Sequence, residues 1–305
     1  MKEKIWEIHT FGTSFTKGGG FEFWKNPELR ELYKDYPTPQ FQFNYSWPGQ
    51  LQEMIQNDSY KTKVFNHAKS GYGHELAIRE AHRILSNNFE EQSRYKLDHE
   101  YKIFIFEFGA LGRKEHHINN LGYVISNYNF KTKDTEFTHV VRKNDEEVET
   151  ITHGIAQTYF EDDVDTLNKI KEIEPVISNF NGETLNFEAE QRRMSIEILN
   201  FIGFLEKQNI NYFIVSEPFL TYELSYLREI YRDKSVILKR EGDAENHMDM
   251  YGFLAANKLR IRDETNGIIN DGHGGHEGNM EIANIIYKRI LKEYQLPTHN
   301  SKELY

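Results

Sequence analysis

The stretch KIWEIHTFGTSF, residues 4–15, joins a largely apolar run directly to a turn that carries a serine. Residues 4–11 contain isoleucine, tryptophan and phenylalanine in a short run of the kind that forms strands in parallel sheets. Gly12, Thr13 and Ser14 follow where such a strand would end. The stretch predicts a buried strand with a serine on its exit turn, which is where open parallel sheets form their active sites.

Four further runs have strand character, and helical patterns lie between and after them. The strand-like runs cover residues 61–68, 101–109, 210–218 and 234–241. Apolar residues recur at helical spacing over 74–89, 189–208 and 278–294. Strands and helices in this order predict a parallel sheet with helices on both faces. We therefore expect one α/β domain over residues 1–305, a three-layer α/β/α sandwich with a five-stranded, flavodoxin-like parallel sheet.

Two regions do not follow this alternation. Residues 12–60 contain a loop rich in proline and aromatic residues, followed by a short helical pattern near Gln50–Gln56. Residues 113–186 interrupt the order of strands and helices. We expect them to form an insertion, with a β-hairpin and a helix, that covers one edge or the top of the sheet.

Composition limits the classes of protein and partner. With 38% hydrophobic and 14% aromatic residues, the 305-residue chain can bury a core. Its 37 Lys and Arg against 48 Asp and Glu give a net charge of −11, spread along the chain, which argues against a nucleic-acid or anionic-membrane partner. The absence of cysteine excludes disulfides, Cys-based zinc sites and a cysteine nucleophile. Without a signal-like or membrane-spanning apolar run, we expect a cytoplasmic protein.

Ser14 has two interpretations. On a tight strand-exit turn, its hydroxyl would face the solvent side of the sheet edge, where a general base could convert it into a nucleophile. The alternative is a Ser/Thr cap at a strand-to-helix turn. The turn by itself leaves both interpretations open.

A glycine-rich turn follows the second strand-like run, in the sequence NHAKSGYGH at residues 66–74. Gly71 and Gly73 precede a helical pattern, so backbone N–H groups there can point outward at an oxyanion or a phosphate. The same pattern also fits an ordinary glycine turn.

The sequence NDGHGGHEGN at residues 270–279 precedes the last helical pattern and combines acid and base side chains. Asp271 beside His273 is the pairing that a general base needs, because the carboxylate orients the imidazole and stabilises its protonated form. Asp271, His273 and His276 could instead bind a divalent metal. A polar, glycine-rich start of a helix is the third interpretation.

In chain order these stretches resemble the sequence blocks of the GDSL/SGNH hydrolase superfamily. The resemblance rests on GTSF at 12–15 for the first block, SGYG at 70–73 for the glycine block, DGHGGHEGN at 271–279 for the final Asp/His block, and SWPGQL at 46–51 for a Trp-Pro segment between the first two. Thr13 replaces the usual aspartate of the first block. Gly278 lies five residues after His273, as in the final block, which favours His273 over His276 as the base.

The resemblance implies an SGNH-type fold and a serine-dependent ester hydrolase. It implies that Ser14 is the nucleophile, that His273 is the base, and that Asp271 orients His273. It also implies that the amide of Gly71 binds the oxyanion. The implied substrate is a small-molecule or carbohydrate ester, and no cofactor is implied.

The third block departs from the family's Gly-x-Asn-Asp pattern. Leu111 stands where the asparagine would donate to the oxyanion, and Arg113 could donate in its place. Loss of one such donor lowers the rate about 10²–10³-fold, which slows an esterase without abolishing its activity. Three alternatives stay open: a carbohydrate O-acyltransferase, a non-catalytic binding domain, and a metal-dependent hydrolase that uses Asp271, His273 and His276.

Overall fold

The computed structural model describes residues 5–18, 43–58, 60–68, 73–86, 101–109, 111–118, 122–143, 146–151, 168, 172–216, 232–236, 238, 250–262, 269–294 and 296. At residues 117–118, 122–123, 136, 138–143, 146–151, 216, 232, 261–262 and 269–272 it describes the backbone alone.

The strands are β1 (Trp6–Phe11), β2 (Thr62–Asn66), β3 (Lys102–Glu107), β4 (Arg113–Ile118), β5 (Gly122–Tyr128), β6 (Thr135–Lys143), β7 (Glu146–Ile151), β8 (Asn211–Ser216), β9 (Arg260–Arg262) and β10 (Ile269–Gly274). The helices are α1 (Ser14–Lys17), α2 (Trp47–Asn57), α3 (His74–Leu85), α4 (Glu174–Thr184), α5 (Phe187–Lys207), α6 (Met250–Ala256) and α7 (His276–Glu293). Four of the five predicted strands and all of the predicted helices are confirmed.

A parallel sheet with the strand order β2-β1-β3-β8 forms the centre of the fold. β1 pairs with β2 on one side and with β3 on the other, so that Ile8 lies between Val64 and Ile103. Every residue of β3 is buried, as expected for a central strand covered on both faces. Because the four strands run in the same direction, their carboxyl ends share one edge of the sheet.

Only residues 234–236 and 238 of the predicted fifth strand, 234–241, belong to the described part of the chain. A single parallel bridge joins Ile214 to Ser235, and the Val236 N–H donates to the Ile214 carbonyl at 2.7 Å. Val236 and Leu238 are buried. The described residues therefore show four strands of the parallel sheet, and the fifth strand stays a prediction.

Helices pack on both faces of this sheet. One core contains Ile8, Ile105 and Phe213 from the strands, Trp47 from α2 and Ile286 from α7. The second core contains Phe11, Phe104 and Phe106 from the strands, Ala81 from α3 and Ile202 from α5. Successive side chains of a strand point to opposite faces, which divides the apolar residues between the two cores. This layering agrees with the predicted α/β/α sandwich.

The region after β3 forms a separate antiparallel sheet with the order β4-β5-β6-β7. The expected β-hairpin is thus part of a larger sheet, because three successive antiparallel pairings join four strands. The chain enters this sheet at Gly112, whose φ of 85° and whose distance to the Tyr128 carbonyl both favour glycine. The helix expected in the insertion is α4. That the chain is one domain with an insertion stays a prediction.

β9 and β10 form a two-stranded antiparallel pair, in which Arg260 lies opposite Gly274. α7 begins two residues after β10 ends, so this pair leads directly into the last helix. Within the described ranges, no helix combines the length and the apolar character needed to cross a membrane.

Candidate active site

Ser14 and His273 are neighbours at the carboxyl edge of the parallel sheet. Ser14 Oγ lies 2.6 Å from His273 Nε2, which is a hydrogen-bond distance. Ser14 begins α1 shortly after β1, and His273 lies in β10 just before α7. An imidazole nitrogen bonded to a serine hydroxyl is positioned to take the hydroxyl proton. The geometry thus permits the chemistry predicted for this pair, and the catalytic roles themselves stay predictions.

The turn that presents Ser14 is one helical turn with defined ends. Thr13 has extended backbone angles, and its hydroxyl accepts from the Phe15 N–H at 3.4 Å, as an N-cap residue does. Gly18 ends the turn with a φ of 93°, in the left-handed region, and its N–H donates to the Ser14 carbonyl. The cap interpretation therefore fits Thr13. Ser14 is the first helical residue, and its hydroxyl meets His273.

A buried carboxylate lies beneath this turn. Glu107, the last residue of β3, is 4% exposed. Its carboxylate accepts from the backbone N–H of Thr13 and of Thr16 at 3.1 Å each, and from the hydroxyls of both threonines at 2.5 Å each. Glu107 is not among the site residues predicted from the sequence. One feature of the sequence could have pointed to it. Glu107 ends an otherwise apolar strand, and a buried glutamate needs polar partners.

Two further side chains hold Thr16 from different elements. Trp47, fully buried at the start of α2, donates from Nε1 to Thr16 Oγ1 at 3.2 Å. Asn66, the last residue of β2, donates from Nδ2 to the Thr16 carbonyl at 2.9 Å. The segment that resembles the family's Trp-Pro segment thus supports the Ser14 turn directly.

His273 is held by close packing around the start of α7. A Cβ on Gly278 would lie 2.7 Å from the Leu259 carbonyl and 2.7 Å from a Leu254 methyl, so only glycine fits this position. Asn279 donates from Nδ2 to the carbonyls of Gly274 and Gly275, the two residues after His273. Packing therefore explains the interval between His273 and Gly278, because a glycine at position 278 lets the start of α7 lie directly against Leu259.

The second histidine of the stretch, His276, occupies a different place. It is exposed, begins α7, and its ring centroid lies 5.4 Å from that of Tyr45. The ring of Phe15, in contrast, lies 4.7 Å from that of His273, and Tyr251 packs edge-on against Phe15. Of the two histidines, His273 is the one that contacts Ser14.

Two of the predicted site groups, the side chain of Asp271 and the amide of Gly71, are outside the described part of the structure. Asp271 lies in β10, but its side chain is not described. Gly71, together with the rest of residues 69–72, is outside the described ranges. The pairing of Asp271 with His273 and the use of the Gly71 amide therefore stay predictions.

The region of the third block is described on both sides of residue 110. Leu111 is partly buried and packs against the core formed with α3 and α5. Arg113 begins β4, and a Cβ on Gly73 would lie 3.0 Å from its carbonyl oxygen. Leu111 thus serves packing, whereas Arg113 lies against Gly73, which follows the glycine-rich turn. A role for Arg113 as an oxyanion donor stays a prediction.

A second serine–histidine contact lies in the antiparallel sheet. His116 Nε2 is 2.8 Å from Ser126 Oγ, and Asn181 also donates to that oxygen at 3.3 Å. Ser126 is fully buried. Because no reagent in solution can reach its oxygen, this pair is part of the packing of the sheet against α4.

His74, Glu75 and Glu197 have ligand atoms close enough to hold a metal ion. However, Arg193 Nη1 already lies 2.9 Å from Glu75 and 2.7 Å from Glu197. Burial raises the pKa of Glu197, but the hydrogen bond from His74 and the charge of Arg193 outweigh it, and the net pKa is lowered. The guanidinium satisfies the carboxylates that a metal would need, so we read this cluster as a salt-bridge network between α3 and α5.

Comparisons with known proteins add little to this picture. No protein-family model matches the chain, and no curated protein matches it. Among solved structures, the psychrotrophic esterase EstA from Pseudoalteromonas sp., inhibited by monoethylphosphonate, aligns with 94% of this chain and 97% of its own. The sequence identity is 12% and the TM-score is 0.41. A likeness at this level shows neither a family nor an activity for this chain.

Proposed function

We propose that the protein is a serine-dependent ester hydrolase that acts through an acyl-enzyme on Ser14. The observation that carries this proposal is the 2.6 Å contact between Ser14 Oγ and His273 Nε2. The contact lies where active sites form in parallel α/β folds, at the carboxyl ends of the strands. The order of the sequence blocks supports the same assignment.

In the proposed reaction, His273 accepts the proton of Ser14 as Oγ attacks the carbonyl carbon of the ester. The tetrahedral intermediate then collapses, and His273 returns the proton to the leaving alcohol. A water molecule, deprotonated by His273, then attacks the acyl carbon. The bond from that carbon to Ser14 Oγ breaks, Ser14 Oγ takes the proton back from His273, and the carboxylic acid is released. Asp271 is proposed to orient His273, on the strength of the sequence resemblance.

The oxyanion needs donors that are not already occupied. Thr13 and Thr16 give their N–H groups to Glu107, and Phe15 gives its N–H to Thr13. Among the hydrogen bonds of the described residues, none uses the N–H of Ser14. We therefore assign the first oxyanion bond to Ser14 N–H. The amide of Gly71 and the side chain of Arg113 are the proposed second and third donors.

One alternative function has an observation in its favour. Leu111 packs into the core where the family would place a donor, which suits a domain that binds a ligand without turning it over. An O-acyltransferase shares the acyl-enzyme with the hydrolase and differs only in using a sugar hydroxyl instead of water.

The test is covalent labelling together with turnover. We expect a fluorophosphonate probe to label the wild type and p-nitrophenyl acetate to be hydrolysed, and both to be lost in Ser14→Ala. Ser86→Ala is the matched control, because Ser86 caps α3 through the His82 carbonyl and does not touch the site. A folded wild type that neither labels nor turns over the ester would support the binding domain and overturn the hydrolase.

A further inference from the structure

Glu107 is a buried acidic group that the proposed reaction does not use. Burying a carboxylate is unfavourable unless hydrogen bonds replace the lost water. Here four donors do so, and all of them come from Thr13 and Thr16, the residues on either side of Ser14 and Phe15. These bonds bridge 94 and 91 positions of the sequence, so they tie the end of β3 to the turn after β1.

We propose that Glu107 is a positioning residue that fixes the Ser14 turn in its reactive conformation and directs the Ser14 N–H to the oxyanion. The inference rests on the proposed function, because it assigns Glu107 a part in that reaction. Glu107 is not proposed to touch the substrate or to exchange a proton with it.

The turn needs such a partner because it is too short to be stable by itself. α1 has 4 residues, and one helical turn orders several backbone angles in return for very few internal hydrogen bonds. The first N–H groups of any helix also lack partners within the helix. Glu107 supplies the acceptor for two of them, at Thr13 and Thr16. The position of Ser14 therefore depends on a side chain from another strand.

The same bonds decide which N–H of the turn stays available. Thr13 and Thr16 N–H point at Glu107, and Phe15 N–H points at the Thr13 hydroxyl. The Ser14 N–H, on the same residue as the attacking oxygen, is left for the substrate. If Glu107 were absent, the amides of Thr13 and Thr16 would compete for the same negative charge, and the turn could rotate about its ends.

The residues around Glu107 leave room for its carboxylate next to the Ser14 turn. A Cβ on Gly12 would lie 2.5 Å from Glu107 Oε2 and 2.6 Å from Thr16 Oγ1, so glycine is required there. Trp47 donates to the Thr16 hydroxyl, which fixes that hydroxyl as an acceptor from Trp47 and a donor to Glu107. The hydrogen bond from the Thr16 hydroxyl to Glu107 therefore has a fixed donor direction as well as a fixed length.

Two substitutions test the role of the carboxylate. In Glu107→Gln the amide oxygen can take the place of Oε2, which accepts three of the four bonds, so we expect kcat to fall about tenfold. In Glu107→Ala all four bonds are lost, and we expect kcat to fall about 10²-fold, because a displaced nucleophile reacts at roughly that lower rate. KM should change by less than about threefold, since substrate contacts are not removed. Glu107→Gln is also the milder variant if Glu107→Ala does not fold.

The readout must separate positioning from simple loss of stability. Each variant is titrated with the fluorophosphonate probe, and kcat is expressed per labelled site, which removes unfolded molecules from the count. The rate constant of labelling should fall in parallel with kcat. Glu190→Gln is the matched control, because Glu190 is also buried and hydrogen-bonded but pairs with Lys114 and Arg193 away from Ser14.

The outcomes are distinguishable. Unchanged kcat per labelled site in Glu107→Ala, or in Glu107→Gln if Glu107→Ala does not fold, would show that Glu107 only stabilises the fold, and the inference would be wrong while the hydrolase stands. Equal losses in Glu107→Gln and Glu190→Gln would overturn it as well. A wild type without Ser14-dependent labelling would overturn the proposed function together with this inference.

Discussion

Ser14 Oγ and His273 Nε2 meet at 2.6 Å although 259 positions of the sequence separate the two residues. The first follows the central strand β1, and the second leads into the last helix of the described chain. The pair is therefore a product of the tertiary fold, and substitutions that displace either element should act on the same reaction.

If His273 is the base, His273→Asn should lower kcat for p-nitrophenyl acetate by about 10³-fold or more, as loss of the histidine does in serine hydrolases. His276→Asn is the matched control. His276 is exposed and its ring contacts Tyr45, so its substitution should leave kcat within about twofold of the wild type. Equal losses of kcat in the two variants would favour a site that uses both histidines.

Gly12→Ala should place a methyl group 2.5 Å from Glu107 Oε2 and 2.6 Å from Thr16 Oγ1. We expect a loss of about 1–3 kcal/mol in the free energy of unfolding, because the carboxylate or the turn must move. Gly203→Ala in α5 has no atom within 4 Å of the new Cβ and should stabilise the protein by up to about 1 kcal/mol. Urea denaturation of both variants checks the contrast, and similar values for the two would contradict it.

The stability of the protein should fall in acid partly because of His67. Burial lowers the pKa of His67 to about 3, assisted by the charges of His9 and Arg83. The unfolded chain binds a proton near pH 6.5, whereas the folded ring does so only near pH 3. The free energy of unfolding therefore decreases as the pH falls through that window. Because the ring is not fully buried, we expect less than the full change of about 1.4 kcal/mol per pH unit.

His67→Phe is the variant that tests this pH dependence. The His67 ring stacks on Phe11 at 5.1 Å, so phenylalanine preserves the stacking and removes the titrating nitrogen. Urea unfolding at about pH 8 and about pH 5 should show a smaller decrease in the variant than in the wild type. Parallel decreases in the two proteins would assign the acid sensitivity to other groups, such as His82 and His116, whose pKa values burial also lowers.

Removal of metals should leave ester hydrolysis unchanged. In the proposed reaction the nucleophile is the Ser14 hydroxyl and its base is His273 Nε2, so no step needs a metal ion. Incubation with EDTA followed by gel filtration should therefore leave kcat within about twofold of its starting value. Stoichiometric zinc in elemental analysis, with activity lost on chelation and restored by zinc, would overturn the serine mechanism in favour of a metal-dependent hydrolase.

The parallel sheet could be predicted because its strands are short apolar runs separated by helical patterns. β3 is the clearest case, since all six of its residues are buried and its sequence KIFIFE is nearly continuous in apolar residues. The four-stranded antiparallel sheet was underestimated. Its strands, such as RKEHHI in β4, are rich in charged and polar residues, and their pairing depends on neighbours that a single run does not reveal.

For the site, the order of the sequence blocks predicted Ser14 and His273 but not the residues that position them. Glu107 ends a strand, and a polar residue in that position is ordinary, so its partners at Thr13 and Thr16 could not be read from spacing. The hydroxyl of Thr16 is used twice, by Glu107 and by Trp47, and both partners are distant in sequence. Supporting contacts of this kind become visible only when the tertiary structure is known.

The hydrogen bond from Trp47 to Thr16 has a consequence for how the chain can vary. It joins two residues that lie 31 positions apart, so the start of α2 is held against the turn that carries Ser14. Because the loss of either side chain removes a hydrogen-bond partner of the other, we expect residues 16 and 47 to tolerate substitution together more readily than one at a time.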